Sequence, residues 1–414
     1  MRFKTQVQSG FRSNLSSRVL HLKTRSQISW RFIYAMPRTR VLQGIYVVLI
    51  VLGFSPAIFA AQAARHLFYL TTGNVIKTYN VSPTTLVPTQ VGTQLTISGA
   101  QYIAAITPSP NDHFIYVLWT DANFNASLSV YATDVSGAPH SSPVQTLPAA
   151  GWQFMMHPSG KFAYVLQTTS GDQEYSSTLY LYHVDQNTGV LTKDPKIQAT
   201  YGPDYFWQES LVSFNKSGTR LVDDWSVSFD HENNYDYSLH PVNTTTGQLG
   251  PDVGTIFAPS NFDGLDQQYF TEKYILNLHN EYNVQPSVLN VYPAVKNPQQ
   301  PLFVCTQSML NACGVAYNFW ISVDQNYVFL PENPTDIVIG RIDAANKQIV
   351  RTDLIPGNGY LYFSPEDRGI YAVDSASGVV QVYLFNPSNG TVSAGGSTTF
   401  NPANGYGLFP AVRQ

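Results

Sequence analysis

Cysteine is scarce in this chain, and so is charge. Only Cys305 and Cys313 occur among 414 residues, and no neighbouring Cys or His completes a four-ligand zinc set. Two close cysteines in a polar loop are expected to form a disulfide in an oxidising compartment, with a metal pair as the alternative. Charged residues make up 12% of the chain and aromatics 13%. That balance excludes disorder and suits a rigid β-rich domain with a large core.

Acid is missing altogether from residues 1–64. Nine of the 23 Lys and Arg residues fall there, from Arg2 to Arg40, which leaves 14 basic against 27 acidic residues in the remainder. A domain of that charge repels nucleic acid and anionic membranes. Also missing is an unbroken membrane-spanning run. Val41 to Phe59 is apolar but interrupted by Gln43, Gly53 and Ser55-Pro56, then followed by Ala61-Gln62-Ala63. A basic flank, an apolar centre and a small-residue end describe a secretory signal cleaved after Ala63, with an uncleaved anchor as the alternative. Met36-Pro37-Arg38-Thr39-Arg40 is an ordinary start for such a signal. Residues 1–35 therefore read as an upstream extension, 36–63 as a signal peptide and 64–414 as one mature domain. The expected location is extracytoplasmic, periplasmic or secreted, without a membrane span after cleavage.

What the chain does hold is a repeat. Seven short alternating apolar runs each lead into a polar turn: Val75 to Val81, Leu128 to Val135, Leu179 to Val184, Tyr237 to Val242, Val288 to Val295, Ile337 to Ile342 and Val379 to Phe385. A spacing of roughly 43–58 residues is too long for a solenoid and suits a four-stranded propeller blade. Upstream of most copies, turn chemistry precedes an aromatic-aliphatic strand, as in Pro108 to Val117, His157 to Val165, Asn215 to Val222, Asp324 to Phe329 and Ser364 to Val373. Each unit thus reads as strand A, turn, strand B, loop, strand C, turn, strand D.

The first unit begins at His66-Leu67-Phe68-Tyr69-Leu70 without a strand A, and the chain ends on Gly405 to Val412 without a partner. Joining the two completes a blade and hides sheet edges. The predicted fold is all-β, a seven-bladed β-propeller of four-stranded antiparallel blades, its ring closed by the N- and C-terminal strands.

His157-Pro158-Ser159-Gly160-Lys161-Phe162-Ala163-Tyr164-Val165 and Leu181-Tyr182-His183-Val184-Asp185-Gln186-Asn187-Thr188-Gly189 resemble the blade signature of the lactonase-like seven-bladed propellers. That group includes 6-phosphogluconolactonase-type enzymes and the Tyr-Val-Thr-Asn repeat proteins. The resemblance covers most of 66–412 and implies a lactonase-type hydrolase acting on a cyclic ester. Such motifs record turns and packing more than activity. Family members commonly carry Gly-Pro-Arg-His before an inner strand; Gly202-Pro203-Asp204-Tyr205 here lacks both basic residues.

Strand order assigns the B–C and D–A connections to one end of the ring. The B–C connections are read at 119–127, 167–177, 223–237, 277–286, 331–336 and 374–378, and the D–A connections at 94–102, 146–152, 199–209, 254–268, 303–318 and 355–360. They hold sixteen acids and no Lys or Arg, so a phosphosugar, which needs a basic partner, is disfavoured. Tyr102, Trp152, Tyr205, Phe206, Trp207, Phe262, Tyr317, Phe319, Trp320 and Tyr360 lie in or just after the D–A connections. Of these, Trp152, Tyr205, Trp207 and Tyr317 are the predicted ligand-binding rings, stacking on sugar faces.

Lactone hydrolysis needs a base for water and a stabiliser for the oxyanion. Glu209, Asp223, His279, Glu281 and Glu332 are the candidate catalytic groups, and no serine triad or metal-hydrolase spacing competes. His157 reads as structural. Asp230, Glu232, Asn234 and Asp236 alternate in the longest B–C connection and offer oxygen ligands to calcium, although Tyr235 stands where an EF-hand loop needs glycine. No cofactor is required by this reading, and a quinone-bearing electron-transfer propeller lacks a strong motif. The expected partner is a small-molecule or carbohydrate ligand bound by a monomer. The alternative is a non-catalytic extracytoplasmic scaffold for a protein or polysaccharide.

Overall fold

The predicted repeat becomes alternating burial. In Val75–Val81 the alternate side chains Tyr79 and Val81 are buried, as are Leu128 and Val130 of Ala126–Ala132. The period of two along a strand puts such residues on one face.

The computed structural model describes residues 65–148, 151, 153–170, 175–204, 212–215, 217–229, 232–251, 255–257, 267–279, 287–294, 300–316, 319–322, 324–333, 336–356, 360–364, 368–401 and 406–413. The chain divides into two units, Met1–Gln62 and Ala63–Gln414. The first, which holds the segments read as an upstream extension and a signal peptide, lies outside the described residues.

Among the described residues the strands of the second unit form seven four-stranded antiparallel sheets, a propeller-like all-β architecture without an α-helix. Sheet one holds Arg65–Thr72, Val75–Val81 and Pro88–Thr96, plus Tyr406–Arg413 from the other end of the chain. The others follow in chain order: sheet two over 102–148, three over 153–204, four over 212–257, five over 267–305, six over 320–356 and seven over 360–399. Every copy of the repeat falls in the third strand of a sheet. The terminal strands pair as expected, with His66 opposite Val412 and Thr72 opposite Tyr406.

Apolar clusters bridge neighbouring sheets. Leu67 and Ile76 of sheet one meet Ile106 and Val117 of sheet two, and Tyr116 and Leu128 of sheet two meet Phe154 and Val165 of sheet three. Similar clusters join three to four, five to six and six to seven. Tyr371 and Val382 of sheet seven pack with Phe68 and Leu408 of sheet one. Such burial drives association of the sheets, at roughly 25 cal/mol per Å² of apolar surface.

The turns between first and second strands are built alike. Buried Ser109, Asn215, Ser322 and Ser364 each accept the backbone N–H of the residue five positions on, Phe114, Arg220, Tyr327 and Gly369, at 2.9–3.0 Å. His157 holds the same place in sheet three and is 2% exposed. Its Nδ1 accepts the Ser159 N–H at 3.1 Å, so Nε2 carries the proton and donates to the Gly218 carbonyl of sheet four at 2.9 Å. Burial holds this imidazole below its ordinary pKa, the Gly218 bond opposing. The structural reading of His157 stands, and its partner is the next sheet.

A second stitch uses tyrosine. Tyr69, Tyr116 and Tyr164 donate their hydroxyls to Gly137, Gly189 and Gly247, each in the third-to-fourth-strand turn of the following sheet. Gly189 has φ 75°, and a Cβ there would come within 2.5 Å of Phe114. Glycine is therefore demanded by conformation and by space. Between sheets four and five the stitch is Glu272, which accepts from the Ser217 N–H at 2.7 Å and the Asn215 amide at 3.1 Å. Burial opposes its ionisation, but these bonds with Ser217 and Asn215 outweigh it and lower its pKa.

Candidate functional site

Because successive strands in each sheet run antiparallel, connections alternate between two ends. The turns just described occupy one, the turn end. The second-to-third and fourth-to-first connections occupy the other, the mouth end, where the predicted site residues were placed.

Several of those residues prove to be strand rather than loop. Sheet four pairs Arg220–Phe229 with Glu232–Pro241 down to Phe229 opposite Glu232, so the stretch read as a connection at 223–237 is mostly ladder. Asp223 lies opposite both Val212 and Ser238. Glu232, Asn234 and Asp236 are strand positions, with Asn234 opposite Val227 and Asp236 opposite Trp225. Alternate residues on a strand stand about 7 Å apart, so these three do not form the ligand-wrapping loop expected for calcium. Asp230 lies outside the described residues, and among the described residues no group of three or more His, Cys, Asp or Glu could hold a metal. His279 ends Tyr274–His279, opposite Val288.

Glu332 corrects the charge reading. It lies in Tyr327–Asn333 of sheet six, and its Oε2 is 3.3 Å from Nη1 of Arg351 on the outermost strand of the same sheet. The mouth acids are thus not wholly without a basic partner; Arg351 lies too far along the chain from the connection to be seen as one. Glu209 and Glu281 lie outside the described residues, as do Trp152, Tyr205, Trp207 and Tyr317. The structure places Asp223, His279 and Glu332 in three consecutive sheets, four, five and six.

Two other mouth acids brace their own loops. Asp121 accepts the N–H groups of Asn123 and Asn125 at 2.8 and 2.9 Å and the Asn125 amide at 2.9 Å. Asp374 accepts the Ser377 hydroxyl at 2.6 Å and the Ala376 N–H at 2.9 Å. Bonds from Asn125 lower the pKa of Asp121, and bonds from Ser377 that of Asp374. Both are therefore carboxylates at neutral pH. Part of the acid excess is loop chemistry, as expected for aspartate in tight turns.

The rings divide. Phe319 is fully buried against Tyr269, at 5.0 Å between centroids, so it is packing and not mouth lining. Trp320 packs against the core between sheets six and seven. Tyr102 and Tyr360 are exposed by 40% and 55%, at the mouth-end starts of the first strands of sheets two and seven. Tyr406 starts the corresponding strand of sheet one. Burial raises its pKa, against a hydrogen bond with Ser375, and Tyr360 and Asp374 lie close enough to raise it further. Sequence reasoning missed Tyr406 as a mouth residue, although its place at the start of a first strand signals it.

It also missed Phe124, the most exposed of these rings at 61%. Phe124 sits at φ 62° in the Asp121 loop, a left-handed conformation unusual for a bulky residue. Asp121 enforces it, since the Phe124 N–H donates to the Asp121 carbonyl at 3.1 Å inside the carboxylate-capped turn. Beside it, Thr120 is 1% exposed and its hydroxyl has no hydrogen-bond partner. The connection from sheet five to sheet six is closed by the Cys305–Cys313 disulfide, with Cα atoms 5.8 Å apart, which settles the cysteine alternatives.

No protein-family model matches the sequence, and no curated protein matches it. Solved structures do. A candidate 6-phosphogluconolactonase from Bacteroides uniformis superposes with a TM-score of 0.55 at 13% identity, over 84% of this chain and 100% of its own. The periplasmic gluconolactonase of Pseudomonas aeruginosa gives 0.53 at 12% identity, over 83% and 99%. A candidate 6-phosphogluconolactonase from Bacteroides fragilis gives 0.53 at 12%, over 86% and 99%. The chain has the lactonase-like fold of these proteins.

Proposed function

We propose that the second unit is a seven-bladed propeller, closed by its terminal strands, that binds a neutral sugar-derived lactone at its mouth end and opens the ester. The contacts that run from each sheet to the next, and from sheet seven back to sheet one, support the closed ring. The observation that carries the ligand assignment is electrostatic. Lys and Arg are absent from the mouth connections, Asp121 and Asp374 are held ionised there, and Arg351 is on an outermost strand engaged with Glu332. An uncharged polyol suits that end; a phosphate does not.

In the reaction, a base removes a proton from water as its oxygen attacks the lactone carbonyl carbon. The ring C–O bond breaks, and the departing alkoxide takes a proton to give the open hydroxy acid. Glu209, Asp223, His279, Glu281 and Glu332 are the groups assigned to this end of sheets four to six. Trp152, Tyr205, Trp207 and Tyr317 supply the sugar-facing rings. The protein acts outside the cytoplasm as a monomer after cleavage near Ala63. The fold shared with a periplasmic gluconolactonase supports that location, and no described helix is long and apolar enough to cross a membrane.

The experiment is hydrolysis of δ-gluconolactone, followed by proton release at constant pH. The purified protein should accelerate opening above the spontaneous rate, and single Glu209→Gln, Glu281→Gln and Glu332→Gln changes should lower it. Equal rates with and without protein would reject catalysis.

A further inference from the structure

The joints between sheets follow a size rule, and one joint inverts it. In sheets two to six the second strand opens on a large residue, Phe114, Phe162, Arg220, Tyr274 or Tyr327. Three of these face a glycine in the third-to-fourth-strand turn of the following sheet: a Cβ at Gly189, Gly247 or Gly390 would overlap Phe114, Phe162 or Tyr327 respectively. Leu67 of sheet one meets Gly137 of sheet two in the same way. All four glycines stand at positive φ, between 74° and 87°.

Sheet seven opens its second strand on Gly369 instead. A Cβ there would find its nearest neighbours in the Ser364 and Tyr371 hydroxyls, both at 3.3 Å, a far looser fit than at the four turn glycines. The turn of sheet one that meets sheet seven carries Leu86 where the others carry glycine. Its N–H donates to the Ser82 carbonyl at 2.9 Å, as Gly189 donates to Asp185 and Gly247 to Asn243, both at 2.7 Å. Its φ is 53°, a left-handed value that leucine adopts only against strain. Leu86 is nevertheless 8% exposed and shares a cluster with Tyr371 and Val382 of sheet seven. Its carbonyl accepts the Gly396 N–H of sheet seven at 3.0 Å, and a Cβ at Gly395 would overlap its side chain. The Gln381 amide donates to the carbonyls of Gly395 and Gly396 at 2.9 and 3.2 Å, holding both glycines in place. The Tyr371 hydroxyl, in turn, lacks the glycine carbonyl that Tyr116 and Tyr164 use.

We infer that this size-inverted joint is a matching surface, by which sheet one docks against sheet seven and against no other sheet of the chain. Set before Phe114, Phe162 or Tyr327, Leu86 would place a branched side chain where even a Cβ overlaps. Overpacking of that kind destabilises a joint as a void does. Among the second strands of sheets two to seven, only that of sheet seven opens on a glycine, so only there does the leucine fit. Mismatch against the other sheets steers closure to the seventh. The inference rests on the closed-ring reading of the proposed function and adds what selects the closing partner.

The test is urea unfolding of the whole protein in a double-mutant cycle of Gly369→Phe and Leu86→Gly. Gly369→Phe gives sheet seven the ring of sheets two and three, and it should lower the unfolding midpoint by taking the room that Leu86 needs. Combined with Leu86→Gly it rebuilds the ordinary joint, so the midpoint loss caused by Gly369→Phe should be at most about half as large in the Leu86→Gly background as in the wild type. Equal losses in the two backgrounds overturn the inference, as does a Gly369→Phe variant as stable as wild type. If Gly369→Phe alone does not fold, a folded double variant upholds the match and an unfolded one rejects it. Gly396→Val tests the closed ring separately, because a Cβ there would fall 2.8 Å from the Val87 Cα of sheet one whatever fills positions 86 and 369. A Gly396→Val variant as stable as wild type would reject contact between the two sheets; a loss there without rescue in the double variant rejects the size match alone.

Discussion

The two ends of the sheets use polar residues in opposite ways. At the turn end, side chains reach across to a neighbouring sheet: His157 to Gly218, Tyr116 to Gly189, Tyr164 to Gly247, and Glu272 back to Asn215 and Ser217. At the mouth end Asp121 and Asp374 are bonded within their own loops and Glu332 to Arg351 of its own sheet. One end stitches sheets together, while Asp121, Asp374 and Glu332 are bonded within their own sheets. Changes at Asp121, Asp374 and Glu332 should therefore disturb the joints between sheets less than changes at the turn end.

The strongest challenge to that contrast is removal of residues 406–414. Sheet one would lose its first strand and expose an edge beside the apolar contacts of Leu408 with Phe68 and Tyr371. Loss of cooperative thermal unfolding is expected. Next is His157→Ala, which leaves the Gly218 carbonyl and the Ser159 N–H without their partner and opens a cavity; about 2–4 kcal/mol of stability should go, read by urea denaturation. The pH dependence has a definite sign. The folded pKa of His157 is lowered, so its contribution is complete above the ordinary histidine value near 6.5 and is lost as pH falls through the folded value. The gap between wild type and His157→Ala should accordingly shrink as the buffer is acidified below about pH 6.

Tyrosine sharpens the comparison within the turn end. Tyr371 occupies in sheet seven the place of Tyr116 and Tyr164, seven residues after the capping residue, yet its buried hydroxyl has no partner. The facing turn of sheet one, Ser82 to Val87, contains no glycine. Tyr164→Phe should cost about 1 kcal/mol, whereas Tyr371→Phe should be neutral or slightly stabilising, because it removes an unsatisfied buried group. Equal losses would mean that the hydroxyl bonds are not the stitch. Smallest of all, Glu332→Gln should change stability by less than about 1 kcal/mol, its partner Arg351 being half exposed.

The sheets were readable because the repeat is a packing pattern. Buried Leu128, Val130 and Ile339 and the capped turns at Ser109 and Ser364 recur wherever a strand must cover its neighbour. The mouth was less readable. Asp223, Asp224, Asn233 and Asn234 are poor strand formers and look like loop, but pairing across Arg220–Phe229 and Glu232–Pro241 overrides that preference. Phe124 escaped notice because its significance lies in a dihedral angle and an exposure, neither of which composition reveals. Arg351 escaped because an ion pair between strands joins residues nineteen positions apart.

One measurement bears most directly on the claim that the mouth end is the working surface for a neutral ligand. The melting temperature is followed while δ-gluconolactone and its 6-phosphorylated counterpart are titrated separately, at low and at moderate salt. Mass action should raise the melting temperature with the neutral lactone, independently of salt, and not with the phosphorylated one. A larger shift with the phosphorylated lactone, weakened by salt, would contradict the account, since an anion would then be binding where no Lys or Arg was assigned to receive it.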